Sequence, residues 1–205
     1  MKVTDYTVEL STYNTVKPFI EKWHYSGSVR GLHISYCFTL FSPDGPFGLP
    51  KMIGAMVYGE PAMPDVSKKY WPKNPKIVLE LNRLCCIDDT LKNTESYFIG
   101  QTMRWLKKNS DYRVIISFAD TAQGHTGTIY KATNFKHKGM TSGAKALFVD
   151  GKRLHQRMLT KKCPKGDEIR KRIKDGNDEG ISTEQLPPKH IYIKSLDRKI
   201  KFESK

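Results

Sequence analysis

RVIISFADTAQGHTGTIYKATNFKHKG, residues Arg113 to Gly139, is the stretch on which the fold turns. It opens on a β-branched apolar run, Val114-Ile115-Ile116, that ends in Ser117-Phe118-Ala119-Asp120 and reads as a buried strand. A polar turn with Gly124 follows. A helical pattern then starts at His125 and runs through Ile129, Tyr130, Ala132 and Thr133 until Asn134-Phe135 stops it, and Gly139 closes a short extended piece. Strand, turn, helix and strand make half of an α/β layer unit, and ligands of such sheets bind at the carboxyl ends of the strands. Asp120 and His125 stand at that end. Each is either a functional group or simply a turn residue and a helix cap.

Outward from this stretch, 205 residues with 38% hydrophobic and 11% aromatic content suit one full domain with a small appendage. No apolar run approaches the length of a membrane span, and MKVTDYTVEL has no signal-peptide core. Cys37, Cys85, Cys86 and Cys163 lack paired metal spacing, which argues against zinc and a disulfide framework and for a cytoplasmic setting. Thirty-five Lys and Arg against 21 Asp and Glu leave a net charge of +14, the electrostatics of a nucleic-acid partner. The excess is uneven: Lys131 to Lys165 holds ten basic residues and one acid, Asp150.

In chain order, Val3 to Leu10 reads as a strand, and Val16, Phe19, Ile20 and Trp23 as a helix ending at Gly27. Leu32 to Phe41 and Met52 to Tyr58 read as a hairpin. Pro61 to Pro75 reads as a surface loop, in which Tyr70-Trp71 among Lys68, Lys69 and Lys73 either anchors the loop or splays nucleic-acid bases. Ile77 to Cys86 alternates as a central strand, and Tyr97 to Lys108 as a helix capped by Asn93 or Thr94. Ala146 to Val149, a turn at Asp150-Gly151 and a basic continuation to Leu159 follow. Asp167 to Lys174 reads as a short basic helix, Asp175 to Ser182 as a loop, and Lys189 to Phe202 as a terminal hairpin. The fold class is α/β, a mixed central sheet flanked by helices, with residues 1–159 as the catalytic domain and 160–205 as a basic extension packed on it.

Four motifs in order carry a resemblance: HYS at His24 to Ser26, ELNRL at Glu80 to Leu84, ESYFIG at Glu95 to Gly100, and SFAD with GHTGTIYKATNF. Together they resemble the Mom family of bacteriophage DNA-modification proteins, over roughly His24 to Gly139 and weakly at Pro188-Lys189-His190. GTIYKATNFKHKG is also similar to the last core motif of GNAT acyltransferases, which implies a GNAT-like sheet. The Mom resemblance implies a transferase of the host cytoplasm that adds a carbamoylmethyl, glycinamide-like group to the exocyclic amine of adenine in phage DNA. The modified DNA then escapes host restriction. The alternatives are an ordinary N-acetyltransferase and a non-catalytic DNA-binding anti-restriction protein.

Such chemistry needs a proton acceptor for a weakly nucleophilic amine, an activated donor, and a pocket for a base taken out of the stack. Asp120 suits the amine. Tyr130 matches the tyrosine that protonates the leaving group in many GNAT enzymes. Arg83 lies on an apolar strand, where an unpaired guanidinium is costly. Residues three apart on a strand face opposite sides, so Glu80 is a poor partner for Arg83 and a carboxylate such as Asp120 a better one. Ser96, near a helix start, can help hold an anionic donor. His24, Tyr25, Ser26, His125 and Asn134 are candidate substrate-binding residues, with His24 and Tyr25 lining the base pocket, and Lys152, Arg153 and Arg157 candidate contacts to DNA phosphates. The donor stays open between acyl-CoA and aminoacyl-tRNA. The place of the usual Gly-rich pyrophosphate loop reads CIDDTLKNTESYFIG, whose Asp88-Asp89 suit phosphate poorly. Iron on His24, His125 and Asp120 is a further candidate, against ordinary structural roles for both histidines. No dedicated metal site is assigned, and the sequence leaves the oligomeric state open.

Overall fold

The computed structural model describes residues 1–61, 64–143, 145–154 and 163–202. β1 (Thr7–Ser11) leads into α1 (Tyr13–Trp23), where the Thr12 hydroxyl accepts from the Thr15 amide at 3.3 Å and closes the first turn. β2 (His33–Ser42) and β3 (Lys51–Glu60) form the expected hairpin, and β4 (Val78–Cys86) continues it antiparallel. α3 (Thr94–Asn109) then carries the chain back so that β5 (Val114–Asp120) joins β4 in parallel. A parallel pair requires a crossover of this kind. α4 (Thr128–Ala132), β6 (Lys136–Met140) and β10 (Lys189–Ser195) complete a seven-stranded sheet in the order β1-β2-β3-β4-β5-β10-β6.

Alternation along the strands builds cores on both faces of this sheet. Leu79, Leu81 and Ile115 face Phe98, Ile99 and Leu106 of α3 and Tyr130 of α4. Ala55, Val57 and Cys85 face Val16 and Ile20 of α1, and Val78, Val114, Ile116, Ile191 and Ile193 make a third cluster. The four cysteines are unpaired thiols. No helix among the described residues is long and apolar enough to cross a membrane.

Several local readings need correction, among them the helix read from His125, which starts at Thr128, and the strand read from Val3, which starts at Thr7 after a 3-10 turn. The segment read as a loop from Pro61 to Pro75 contains a helix, α2 (Pro64–Tyr70), with Pro64 at its start and Asp65 in its first turn. Tyr70 and Trp71 pack against the third cluster, and the Trp71 ring meets Phe202 at 6.0 Å. Neither Asn93 nor Thr94 caps α3 through its side chain: Asn93 takes a left-handed conformation, and the Thr94 hydroxyl donates to the Leu91 carbonyl. Of Lys189 to Phe202 only Lys189–Ser195 is a strand, and no hairpin forms, because β10 finds its partners in β5 and β6. Part of the supposed loop before Ser182 is strand β9 (Ile181–Gln185).

The chain divides into two compact units: Met1–Ala119 with His125–Gly139 and His190–Lys205, and Asp120–Gly124 with Met140–Lys189. Residues on both sides of position 160 therefore contribute to each unit. The first holds nearly all of the large sheet. The second is built on a three-stranded sheet, β8-β7-β9, from β7 (Lys145–Val149), β8 (Lys152–Leu154) and β9, with α5 (Pro164–Lys174). Its β7–β8 turn is tight, with Asp150 and Gly151 both at positive φ.

Candidate active site

Strands β4 and β5 pair from Val78↔Val114 only as far as Leu81↔Ser117, although β4 runs on to Cys86 and β5 to Asp120. The sheet splits there. On the β3 side of β4, Val57 pairs with Arg83 and Tyr58 with Leu81, so Asn82 is an extra residue, a β-bulge. The bulge resets the alternation. Glu80 lies opposite Gly59 and Arg83 opposite Val57, and residues 57 and 59 share a face, so Glu80 and Arg83 share it as well. This overturns the expectation that they point apart. Burial lowers the Arg83 pKa, while the charges of Tyr25 and Glu80 push it back up. The guanidinium donates from Nε to the Ser28 carbonyl at 3.0 Å and from Nη1 to the Asn82 carbonyl at 2.7 Å.

Arg83 thereby ties down the turn that follows α1. In that turn His24 Nδ1 accepts from the Ser26 amide at 3.0 Å and lies 2.8 Å from the Ser26 hydroxyl. Gly27, at φ +54, lets the chain reverse. Burial, then the positive charge of Arg83, then His125, lower the His24 pKa to about 4. The imidazole is therefore neutral at pH 7, with its proton on Nε2 because Nδ1 is an acceptor. The half-exposed Tyr25 ring stacks on His24 at 4.2 Å and meets the edge of His125 at 5.4 Å. His24, Tyr25, Ser26, His125 and Arg83 are thus brought together.

The other face of the split carries Tyr130. Gly127 starts α4 at φ +74, and a Cβ there would overlap the Tyr192 ring. Tyr192 donates to the Thr126 carbonyl at 2.6 Å and packs on Tyr130 at 5.1 Å. The Tyr130 oxygen lies 2.8 Å from the Ser117 hydroxyl, which is also 3.0 Å from the Leu81 carbonyl. Burial pushes the phenol up to about 12 against the opposing pull of the Ser117 hydrogen bond, so Tyr130 keeps its proton at neutral pH. Ser96 and Asn134 belong to a separate groove of about 400 Å³ on the α3 and α4 side, with Arg104, Lys107 and Lys194 along its wall. Lys194 donates to the Asn134 carbonyl at 3.2 Å.

Asp120 belongs to the second unit. Its Oδ2 pairs with Lys189 Nζ at 2.7 Å and its Oδ1 accepts from the Ala122 amide at 3.1 Å. Lys152 and Arg153 are exposed on β8, and Arg157 lies outside the described residues. Among the described residues no three His, Cys, Asp or Glu side chains gather as metal ligands would. With His24 Nδ1 already bonded to Ser26, the His24, His125 and Asp120 set does not fit iron. The turn before α3 carries exposed Asp88 and Asp89 and offers no glycine, so it does not fit the pyrophosphate of CoA.

Sequence reading missed Ser117, Glu80 and Tyr192 as members of the site. Ser117 had a signal, being the one hydroxyl in an otherwise apolar strand core. Glu80 and Tyr192 had only alternation, which gives a face but not a neighbour.

The model of the Mom protein family matches residues 5–205. No curated protein matches the chain. Among solved structures, an N-acetyltransferase from Staphylococcus aureus Mu50 superposes with a TM-score of 0.51 at 11% identity, covering 94% of this chain and 99% of that one. A ribosomal-protein-S5-alanine acetyltransferase from Vibrio fischeri gives 0.51 at 10%, covering 95% and 94%. A putative acetyltransferase from Acinetobacter baylyi gives 0.53 at 10%, covering 94% and 92%. The fold is accordingly the GNAT-like α/β architecture expected from the sequence.

Proposed function

Since the chain belongs to the Mom protein family, we propose that it is a transferase that modifies DNA, placing a carbamoylmethyl group on the exocyclic amine of adenine in host cytoplasm and so protecting phage DNA from restriction. The observation that carries this reading is the split between β4 and β5, with a neutral His24 beside Tyr25 on one face and a protonated Tyr130 on the other. A net charge of +14 supports a DNA partner.

In this reading the extruded adenine rests on the Tyr25 and His24 rings, and His24 Nε2–H donates to an acceptor nitrogen of the base edge. The amine lone pair forms the new N–C bond while the bond from that carbon to the donor's leaving atom breaks. The leaving atom departs with the electron pair and takes the proton of Tyr130, and solvent later restores that proton. The proton lost by the amine goes to solvent. Arg83 stabilises developing negative charge, and Ser96 helps hold the donor. The donor is an activated carrier: the poor fit to CoA pyrophosphate and the excess positive charge favour an aminoacyl-tRNA, such as one charged with glycine, over acyl-CoA. There the leaving oxygen sits on the carbonyl carbon, so the first product is the isomeric N6-glycyl adenine. The carbamoylmethyl form follows when the glycine amine bonds to C6 of the base as the original N6 leaves to become the terminal amide.

Mass spectrometry of nucleosides from plasmid DNA of bacteria expressing the protein tests the reading. A deoxyadenosine heavier by a carbamoylmethyl group is the expected result, and labelled glycine should enter it. DNA left unmodified by soluble, folded protein refutes the enzyme and favours a DNA-binding role. Acetylation of a protein or small amine instead identifies an N-acetyltransferase.

A further inference from the structure

Ser117 is 1% exposed and occupies the last position of β5 that pairs with β4, where the sheet begins to split. Its hydroxyl oxygen lies within hydrogen-bond reach of two oxygens, the Leu81 carbonyl at 3.0 Å and the Tyr130 phenol at 2.8 Å. A serine hydroxyl has one proton and two lone pairs, so it donates to one of these at a time. When it donates to Leu81, its oxygen accepts the Tyr130 proton. When it donates to Tyr130, the phenol oxygen becomes the acceptor. A carbonyl accepts and never donates, so the direction of the Tyr130 bond depends on the rotation of one buried hydroxyl.

We propose that Ser117 is a positioning residue whose single proton switches from the Leu81 carbonyl to the Tyr130 oxygen as Tyr130 releases its own proton. The inference rests on the reading that Tyr130 protonates a leaving group. As the leaving atom comes into reach, the phenol O–H turns from Ser117 to it and then breaks, its electron pair staying on Tyr130 while the proton goes to the leaving atom. The Ser117 O–H then turns to the phenolate without itself breaking, and turns back when solvent reprotonates Tyr130. A hydrogen bond to a charged oxygen is stronger than one to a neutral oxygen, so the switch favours the transferred state.

The test compares Ser117→Ala, Ser117→Thr, Tyr130→Phe and the double variant Ser117→Ala/Tyr130→Phe by nucleoside mass spectrometry, with thermal unfolding confirming that each is folded. Ser117→Ala should lower modification by roughly 10- to 100-fold. Ser117→Thr, which keeps the hydroxyl, should recover most of it. In the Tyr130→Phe background Ser117→Ala should cost nothing further. Unchanged modification in Ser117→Ala, or an equal loss with and without the Tyr130 hydroxyl, overturns the proposal. A second measurement is independent of the reaction: NMR of protein labelled at tyrosine Cζ follows exchange of the Tyr130 hydroxyl proton. That proton should exchange slowly in the native protein and faster in Ser117→Ala, and equal rates overturn the switch. Native protein that leaves DNA unmodified refutes the proposed function, while the exchange rates still decide the hydroxyl pairing.

Discussion

Gly127→Ala is expected to be among the costlier single-atom additions in this protein. Two separate effects act at the position. At φ +74 the backbone is left-handed, which costs an L-residue roughly 1–2 kcal/mol. The added methyl would also occupy space held by the Tyr192 ring, a side chain 1% exposed and fixed by its bond to Thr126. Pushing a packed buried ring aside costs about 1–3 kcal/mol. The sum, about 2–5 kcal/mol, corresponds to a fall in Tm of about 4–20 °C for a chain of this size. Gly31→Ala separates the effects, because Gly31 has φ +75 and nothing within 4 Å of an added Cβ. It should show the backbone cost alone, about 2–8 °C. Differential scanning calorimetry of both variants, and of Gly127→Ala in a Tyr192→Ala background, checks the reasoning. The Gly127 cost should shrink to that of Gly31 once the ring is gone. Equal effects of the two glycine substitutions in the native background, or an undiminished cost without Tyr192, would refute it.

Acid should weaken the fold through His24. Unfolded His24 takes up a proton below its ordinary value of 6.5 while folded His24 resists until about 4, so its contribution is complete above pH 6.5 and is lost as pH falls toward 4. Denaturant midpoints between pH 7 and 4 should decline less steeply in His24→Gln, and parallel curves would contradict the assignment. Arg83→Met removes one of the charges that lower His24, and the His24 imidazole, followed by NMR, should titrate at a higher pH. An unmoved titration would show that Arg83 does not act on His24. Ile115→Ala empties a fully buried site between β4 and α3 and should cost about 2–5 kcal/mol in chemical unfolding, a loss below 1 kcal/mol being inconsistent with that packing.

The elements most legible in the sequence are those whose pattern is local. Val114 to Ala119 reads as a buried strand because β-branched residues crowd it, and α1 reads as a helix because Val16 and Ile20 recur at its period. The hairpin of β2 and β3 follows from alternation on both sides of a proline-rich turn. What escaped depends on partners far along the chain. Lys189 to Ser195 alternates like any strand, and nothing within it says that it will lie between β5 and β6. The Asn82 bulge carries no residue signature, yet that single extra residue decides which side of the sheet Arg83 faces. For the site, the HYS motif and Tyr130 were visible as motifs, whereas Ser117 became a candidate only once the split in the sheet located its hydroxyl.

The position of β10 also sets the order in which this chain can become a folded protein. β5 is nearly all buried in the finished sheet, and one of its two edges is covered only by a strand made much later. A ribosome working at ordinary speed takes on the order of ten seconds to travel from residue 120 to residue 189. During that interval an apolar strand has an unpaired edge, the kind of surface that recruits other chains. Sheet closure in this protein is a late, long-range event. A nascent chain halted before Lys189 should be handed to chaperones or aggregate, whereas a short extension reaching Ser195 should turn it into a soluble, protease-resistant product.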